Sequence, residues 1–215
     1  MLEMKFKIVV IICALALSAS FANAQNTGYT PVENLDVFKK VFASESAEIL
    51  TISSNFTQVK ILSALTEKIV STGTFRFKRD NKVRIEYQKP FSYLMIMKGD
   101  RLLLRDDKKA NEVNVRSNKL FQQINRIILD CIQGTILESK DFSTSVFEDK
   151  QSYLLEMTPV GKGLREFFQN VVLVVEKSDY SVRKIEMNEP GGDQTIITFT
   201  DKKLNGPVPE EAFTL

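Results

Sequence analysis

Histidine and tryptophan are both missing from this chain of 215 residues. Without histidine, the Ser-His-Asp and Cys-His arrangements that activate a nucleophile cannot form in their usual versions. Histidine is also the commonest metal ligand of proteins. Tryptophan is the residue we would expect on a surface that stacks against sugars. These absences count against several classes of hydrolase and against a metal enzyme.

Cysteine is nearly absent too, since the chain has two cysteines, Cys13 and Cys131. Cys13 falls in an N-terminal apolar run, and the remaining Cys131 alone cannot form an internal disulfide or a cysteine-rich zinc site. Its apolar surroundings predict a small buried side chain. The glycines of 161–163 lack the rest of a phosphate-binding loop. We therefore expect neither a metal nor a cofactor.

Charge is almost balanced, with 29 Lys and Arg against 27 Asp and Glu. No basic stretch predicts a nucleic-acid partner. The adjacent pairs Asp106-Asp107 and Glu210-Glu211 lie in turn-like sequence, where neighbouring side chains do not converge on one substrate. Distant carboxylates could still combine, as they do in glycosidases. A carboxylate-dependent periplasmic hydrolase therefore remains a less favoured hypothesis.

The N-terminus has the pattern of a cleavable signal peptide. Lys5 and Lys7 precede an apolar run at 8–17, which is short for a permanent membrane anchor. Ala22-Asn23-Ala24 supplies the small residues of a cleavage site. The pattern predicts that residues 1–24 are removed and that residues 25–215 form one exported, periplasmic domain. Since no small residue adjoins Cys13, we do not expect lipidation there.

Two amphipathic helices are predicted from apolar residues spaced three and four apart. The first contains Leu35, Phe38 and Phe42, with Pro31 in its first turn. The second covers 119–131 and is stopped by Gly134.

Alternation with a period of two dominates the rest of the chain. The runs 72–78 and 82–88 flank a short polar turn, which is typical of a β-hairpin. Similar runs follow up to the segment 194–200, among them 170–176 and 182–188. We count ten or eleven strands and find no linker or repeat. The pattern predicts a mainly β protein built on one curved antiparallel sheet, with short helices against its concave face.

Several strands are apolar on both faces, namely 94–97, 102–104 and 171–175. Such strands are buried on both sides, or one of their faces lines a cavity. Two short helices can cover only part of so wide a sheet, which favours a cavity. Methionine suits such a lining because its thioether adapts to ligands of variable shape.

An ordered series of motifs identifies a family. Asn55-Phe56-Thr57-Gln58 follows the first helix, and the run 73–79 reads Gly-Thr-Phe-Arg-Phe-Lys-Arg. Arg84-Ile85-Glu86-Tyr87 and Pro90 come next, followed by Gly-Asp-Arg-Leu-Leu-Leu at 99–104. In order and spacing, this series resembles the periplasmic outer-membrane lipoprotein carrier family, LolA.

The resemblance implies an unclosed β-barrel with helices as a lid over an apolar cavity. It implies a non-enzymatic carrier that takes the acyl chains of lipoproteins from an inner-membrane lipoprotein-releasing transporter to an outer-membrane receptor. We expect a monomer. A lipid- or peptide-binding sensor on the same scaffold is the alternative.

The resemblance also implies a set of site residues. Arg79 matches the family arginine that bonds to the lid and keeps it closed, although Asp80 replaces the usual proline and could compete for it. The chain also ends soon after Phe213, where family members often continue. Candidates for the acyl-chain lining are Phe56, Phe75, Phe77, Ile85, Met95, Met97, Leu102, Leu104, Ile124 and Ile128.

Overall fold

The computed structural model describes residues 28–65, 67–106, 110–114 and 119–214, with the backbone alone for 111–114 and 119–125. The predicted signal peptide, 1–24, lies outside the described residues. The chain divides into a short unit, Met1–Thr30, and a compact unit, Pro31–Leu215. The site lies in the second unit.

Strands account for about half of the described chain, with three helices and two short 3₁₀ turns between them. The helices are α1 (Leu35–Ala47), α2 (Lys119–Gln133) and α3 (Lys162–Arg165), and the 3₁₀ turns are Ile136–Glu138 and Glu210–Phe213. The strands are β1 (Thr30–Pro31), β2 (Thr51–Ile61), β3 (Lys68–Lys78), β4 (Lys82–Lys89), β5 (Tyr93–Lys98), β6 (Arg101–Asp106), β7 (Ala110–Asn114), β8 (Phe142–Glu148), β9 (Ser152–Pro159), β10 (Asn170–Glu176), β11 (Val182–Asn188) and β12 (Gln194–Leu204).

Strands β2 to β12 form one antiparallel sheet, in the order β8-β9-β10-β11-β12-β2-β3-β4-β5-β6-β7. Within the described chain, β7 and β8 stand at opposite ends of this series and do not pair, so the sheet is not closed. The connection from β7 to β8 contains α2. The predicted mainly β fold, with one curved and unclosed antiparallel sheet, is confirmed.

Helix α1 begins later than the sequence suggested. Asn34 is its N-cap, and its Oδ1 accepts a hydrogen bond of 3.0 Å from the backbone N–H of Val37. The prediction that Pro31 lies in the first turn is therefore wrong, because an asparagine side chain satisfies the helix N-terminus three residues further on. The buried face of α1 carries Phe38 and Phe42, whose rings stack at 5.6 Å.

Glycine ends α2 and lets it approach α1. Gly134 has φ +73°, a left-handed conformation that favours glycine. A Cβ at Gly134 would lie 2.8 Å from the carbonyl oxygen of Phe42 and 2.7 Å from Ser46 Oγ. The end of α2 therefore packs directly on the last turns of α1.

The apolar side chains pack on both faces of the sheet. Two clusters lie on the face that α1 and α2 cover, one around Phe42 and Leu173 and one around Phe77 and Val83. A third cluster joins Leu94 and Ile96 to residues 208–213 of the C-terminal segment. Strand β5 is therefore apolar on both faces because the C-terminal segment covers one face and the side of α2 covers the other.

Ion pairs hold the tail against the sheet. Lys78 Nζ and Lys82 Nζ lie 2.5 and 2.9 Å from the carboxylate oxygens of Glu210, and Phe213 is fully buried. The hydrogen bonds from Lys78 and Lys82 lower the pKa of Glu210 from 4.5 to about 2. The carboxylate is thus favoured in the folded chain.

We expect Glu210→Gln to destabilise the protein at neutral pH and to lose this effect in acid. Because the folded pKa is depressed, the stabilisation is present above the unfolded pKa and disappears as the pH falls from about 5 towards 2. Urea unfolding of both proteins across this range measures it. Glu211→Gln is the control, since Glu211 takes part in none of the described ion pairs. A constant difference between Glu210→Gln and wild type at all pH values would contradict the prediction.

The sheet leaves no room for a side chain at Gly73 in β3. A Cβ there would lie 2.1 Å from the backbone oxygen of Glu86 in β4 and 2.8 Å from the ring of Phe56. The register shifts between Thr72 and Gly73, which brings the two backbones close together.

Gly73→Ala should therefore destabilise the fold by about 1–3 kcal/mol, the usual cost of overpacking. The free energy of unfolding from chemical denaturation measures this loss. Gly163→Ala is the matched control, because a Cβ at Gly163 meets no atom within 4 Å. Equal stability of the two variants would show that β3 and β4 can separate without cost.

Candidate functional site

An apolar cavity of about 300 Å³ lies between the sheet and α2. Its wall draws on strands from both halves of the sheet, and α2 covers it with Ile127, Ile128, Cys131 and Ile132. The other lining residues are Ile49, Ile52, Ser54, Phe56, Gln58, Phe75, Ile85, Tyr87, Met95, Phe168, Val171, Leu173, Tyr180, Ser181, Val182, Ile185, Met187, Ile197, Phe199 and Lys202.

The structure brings five of the candidate lining residues onto the cavity wall, namely Phe56, Phe75, Ile85, Met95 and Ile128. The remaining described candidates do not line the cavity and belong to the packed apolar cluster next to it. Phe77, Met97 and Leu102 are buried in this cluster, and Leu104 packs against the cluster. They share the inward face of their strands but lie where side chains fill the space. The side chain of Ile124 lies outside the described part of the chain.

Much of the wall comes from β10, β11 and β12, which the sequence interpretation left out of the lining. Val171, Leu173, Ile185, Ile197 and Phe199 alternate along these strands and face the cavity. The same alternation was present in the sequence. The sequence predicts that 171–175 is apolar on both faces, but periodicity alone does not tell which inward-facing residues reach a cavity.

The polar groups of the wall are few. The hydroxyl of Tyr87 donates a hydrogen bond of 2.8 Å to Gln58 Oε1, and burial raises the pKa of Tyr87. Lys202 Nζ donates to Ser181 Oγ. Burial lowers the pKa of the Lys202 ammonium, against the opposing effect of nearby Asp179. In the described chain no aspartate or glutamate lines the cavity.

Arg79 joins the sheet to the end of α1. Its guanidinium donates from Nη2 to the carbonyl oxygens of Ser46, Ala47 and Ile49, at 3.0, 2.6 and 3.0 Å. Nε also donates to Ile49, at 3.3 Å, and the backbone N–H of Arg79 donates to Leu50. One side chain therefore binds several backbone carbonyls where α1 ends and leads into β2.

Asp80 does not take this arginine away from the helix. Its backbone has φ +77°, a left-handed conformation at the turn between β3 and β4. None of the described ion pairs joins Arg79 to Asp80. With aspartate at position 80, the contacts of Arg79 with the α1 segment are in place.

The hydrolase hypothesis predicted two acids converging in a polar cleft, and the cavity described above is apolar. Glu210 lies on the opposite face of the sheet in ion pairs with lysines, and Asp107 lies outside the described residues. Among the described residues, no group of three or more acidic or cysteine side chains is placed to hold a metal ion.

Comparison with known proteins identifies the family. The family model described as "Outer membrane lipoprotein carrier protein LolA" matches residues 47–215. This chain belongs to the LolA family. An outer-membrane lipoprotein carrier protein of Methylibium petroleiphilum is 30% identical over 203 residues, covering 94% of this chain and 90% of the relative. The protein of the same name from Cupriavidus necator is 27% identical over 144 residues, covering 66% of this chain and 65% of the relative.

Among solved structures, a LolA superfamily protein of Nitrosomonas europaea aligns with a TM-score of 0.44 and 15% identity, covering 82% of this chain and 97% of that one. In the part of this LolA-family chain that is described, none of the helices has the length and apolar character needed to cross a membrane.

Cys131 offers a reporter of how firmly α2 packs on the sheet in this LolA-family protein. Its side chain lies on the inward face of α2 and is 6% exposed, and burial raises the pKa of its thiol. Both effects slow alkylation, because the thiolate is the reacting form.

We expect Cys131 to react slowly with iodoacetamide in the wild type and at least about tenfold faster in Arg79→Leu. A loss of about 1.4 kcal/mol from the free energy that holds α2 against the sheet makes the population with α2 displaced tenfold larger. Peptide mass spectrometry measures labelling at this residue. Arg76→Leu, on the opposite face of β3, should label at the wild-type rate. Identical rates in all three proteins would show that Arg79 does not control access beneath α2.

Proposed function

We propose that this protein is a periplasmic carrier of acylated lipoproteins, which it takes up at the inner membrane and delivers to the outer membrane. The observation that carries the proposal is the apolar cavity of about 300 Å³ beneath α2. Membership of the LolA family supports it, because relatives are named outer-membrane lipoprotein carrier proteins. The predicted signal peptide supports export to the periplasm.

Burial of hydrocarbon supplies the binding energy in this proposal. Each buried methylene contributes about 0.8 kcal/mol. The interaction has little directional requirement, so one wall accepts the acyl chains of many different lipoproteins. The cycle needs no covalent chemistry and no cofactor, and the protein acts as a carrier rather than an enzyme.

Loading requires α2 to move. The cavity is at the lower end of the range of about 300–1,000 Å³ that is usual for ligand sites. A lipoprotein carrying several acyl chains needs more space than this. The described conformation therefore represents a closed state, and uptake shifts the protein towards a more open one.

Arg79 sets the balance between these states. A guanidinium is rigid and always charged, so it holds several carbonyls in one geometry. Hydrogen bonds to a charged group contribute about 1.5–3 kcal/mol. Because α1 packs on the end of α2 through Gly134, the hold of Arg79 on α1 also restrains α2. Cargo then has to offset these bonds, which keeps its retention reversible.

Handover follows from the same balance. An inner-membrane lipoprotein-releasing transporter supplies the cargo, and an outer-membrane receptor accepts it by offering a better apolar surface. A partner moves the equilibrium only through its different affinity for the open and closed states. The carrier works as a monomer in this scheme.

Native mass spectrometry tests the proposal. The protein is mixed with a triacylated lipoprotein and, separately, with the same lipoprotein lacking its acyl groups. We expect a one-to-one complex with the acylated form alone. Failure to bind either form would overturn the carrier proposal. Binding of both forms would instead favour recognition of the polypeptide and a sensor on this scaffold.

Replacing Arg79 should strengthen retention of the cargo. We expect Arg79→Leu to hold acylated lipoprotein about tenfold more tightly, as closure loses about 1.4 kcal/mol or more. Transfer to liposomes containing the receptor should slow in proportion. The affinity of Arg79→Lys for the cargo should lie between those of the wild type and Arg79→Leu, because lysine keeps the charge but lacks the planar set of guanidinium donors. Arg76→Leu serves as the control, and equal retention by all variants would remove Arg79 from the mechanism.

A further inference from the structure

A polar group lies on one part of the otherwise apolar cavity wall. It consists of Ser54, Ser181 and Lys202, all of which line the cavity. Ser54 belongs to β2 and Lys202 to β12, while Ser181 directly precedes β11. These three strands are neighbours in the sheet, so the three side chains lie near one another on its inner surface.

A β-bulge places Lys202 on the inner wall. Phe199 faces the cavity, so strict alternation would put position 201 inside and position 202 outside. The register with β2 shifts by one residue between Thr200 and Lys203, and Asp201 has φ +53°. The extra residue turns Lys202 inwards. Asn55 Nδ2 fixes the bulge by donating a hydrogen bond of 2.8 Å to Asp201 Oδ2.

The Lys202 ammonium keeps donors available for a ligand. Its Nζ donates to the hydroxyl of Ser181, which in turn donates to Asp179 Oδ1 at 2.7 Å. An ammonium has three donors, and the described contacts use one of them. None of the described ion pairs includes Lys202. The hydrogen bond from Lys202 to buried Ser181 fixes the direction of the lysine side chain.

Ser54 adds an unused hydroxyl to the same place. Its side chain is 7% exposed, and its Oγ has no hydrogen-bond partner among the described atoms. In the register it lies opposite the bulge, between the pairs that Asn55 and Ser53 form with β12. A buried hydroxyl without a partner is costly, so an occupant with a polar oxygen would stabilise it.

We propose that Lys202, Ser54 and Ser181 form a subsite for the carbonyl oxygen of an acyl group. The inference rests on the proposed carrier function. The acyl head lies at the bulge, and its hydrocarbon runs along the apolar wall. A free fatty acid presents a carboxylate to Lys202, and an esterified acyl chain presents a carbonyl oxygen. Both share the acceptor that an ammonium and a hydroxyl can bind.

Displacement of N-phenyl-1-naphthylamine, a neutral fluorescent probe of apolar sites, measures this recognition. Three competitors with the same chain length are used: laurate, methyl laurate and dodecane. Purified wild type is compared with Lys202→Met, which keeps an unbranched apolar stem, and with Ser54→Ala. Lys203→Met is the matched control, because Lys203 is the exposed neighbour on the outer face of β12.

We expect Lys202→Met to weaken the binding of laurate about tenfold, because a hydrogen bond to a charged group is lost. Ser54→Ala should weaken the binding of laurate about threefold. Dodecane should displace the probe equally well from all four proteins. This result also verifies that the variants keep a folded cavity. Lys203→Met should match the wild type. Should Lys202→Met fail to fold, Lys202→Gln takes its place with the same expectations.

The three competitors separate the sources of the acyl head. Weaker binding of both laurate and methyl laurate to Lys202→Met supports a site for ester and acid alike. An effect confined to laurate supports a site for free fatty acids. If all three compete but no variant changes their affinity, the subsite is wrong and the carrier proposal stands. If none displaces the probe from the wild type, the cavity does not hold acyl chains and both proposals fail.

Discussion

The need to cover the inner face of an unclosed sheet determines the rest of this structure. Apolar side chains of β2 to β6 and of β8 to β12 point to that face, and exposure of so large a surface to water would be unfavourable. Since the sheet does not close, the chain must pass from β7 at one end of the strand order to β8 at the other. Helix α2 lies in this connection and carries the apolar residues that cover the face. The cover and the cavity therefore arise from the same feature of the topology.

A helix held on the sheet only by apolar contacts would have no defined closed state. Acyl chains could bury the same apolar surface that the helix buries, so nothing would favour closure once they are bound. Arg79 supplies directional bonds that cargo cannot imitate. It binds the carbonyls of Ser46 and Ala47 in the last turn of α1, where the helix itself supplies no further N–H groups. Ser46 also accepts a hydrogen bond from the backbone N–H of Ile49. The contact of Gly134 with the carbonyl of Phe42 extends this restraint to α2. In the proposed carrier cycle, the energies of opening and of cargo burial can thus be changed separately, by different residues.

Most of the fold could be predicted from the sequence, since alternation and helical spacing are local properties. The segments 170–176 and 182–188 match β10 and β11 without a change of boundary. The lining could be predicted only in part, because periodicity tells which face a residue occupies and not how far the packing extends along it. Phe77 and Phe75 share a face, but only Phe75 reaches the cavity. Lys202 points inwards because of a bulge at Asp201. Alternation alone assigns Lys202 to the outer face. The burial of Phe213 against β5 requires the tail to fold back on the outer face, a long-range contact without a local signal.

Apolar burial and the polar group at the bulge differ in what they can select. The apolar wall distinguishes ligands by chain length and volume, because each methylene contributes a similar amount. It cannot determine which end of a chain enters first, since hydrocarbon is nearly uniform along its length. In the proposed subsite a single ammonium at a fixed place in the wall provides that direction, at the cost of burying a charge that Ser181 and Asp179 compensate only in part. A carrier whose cargo has its polar head at one end gains from this asymmetry, because the head then meets the same residues on loading and on release.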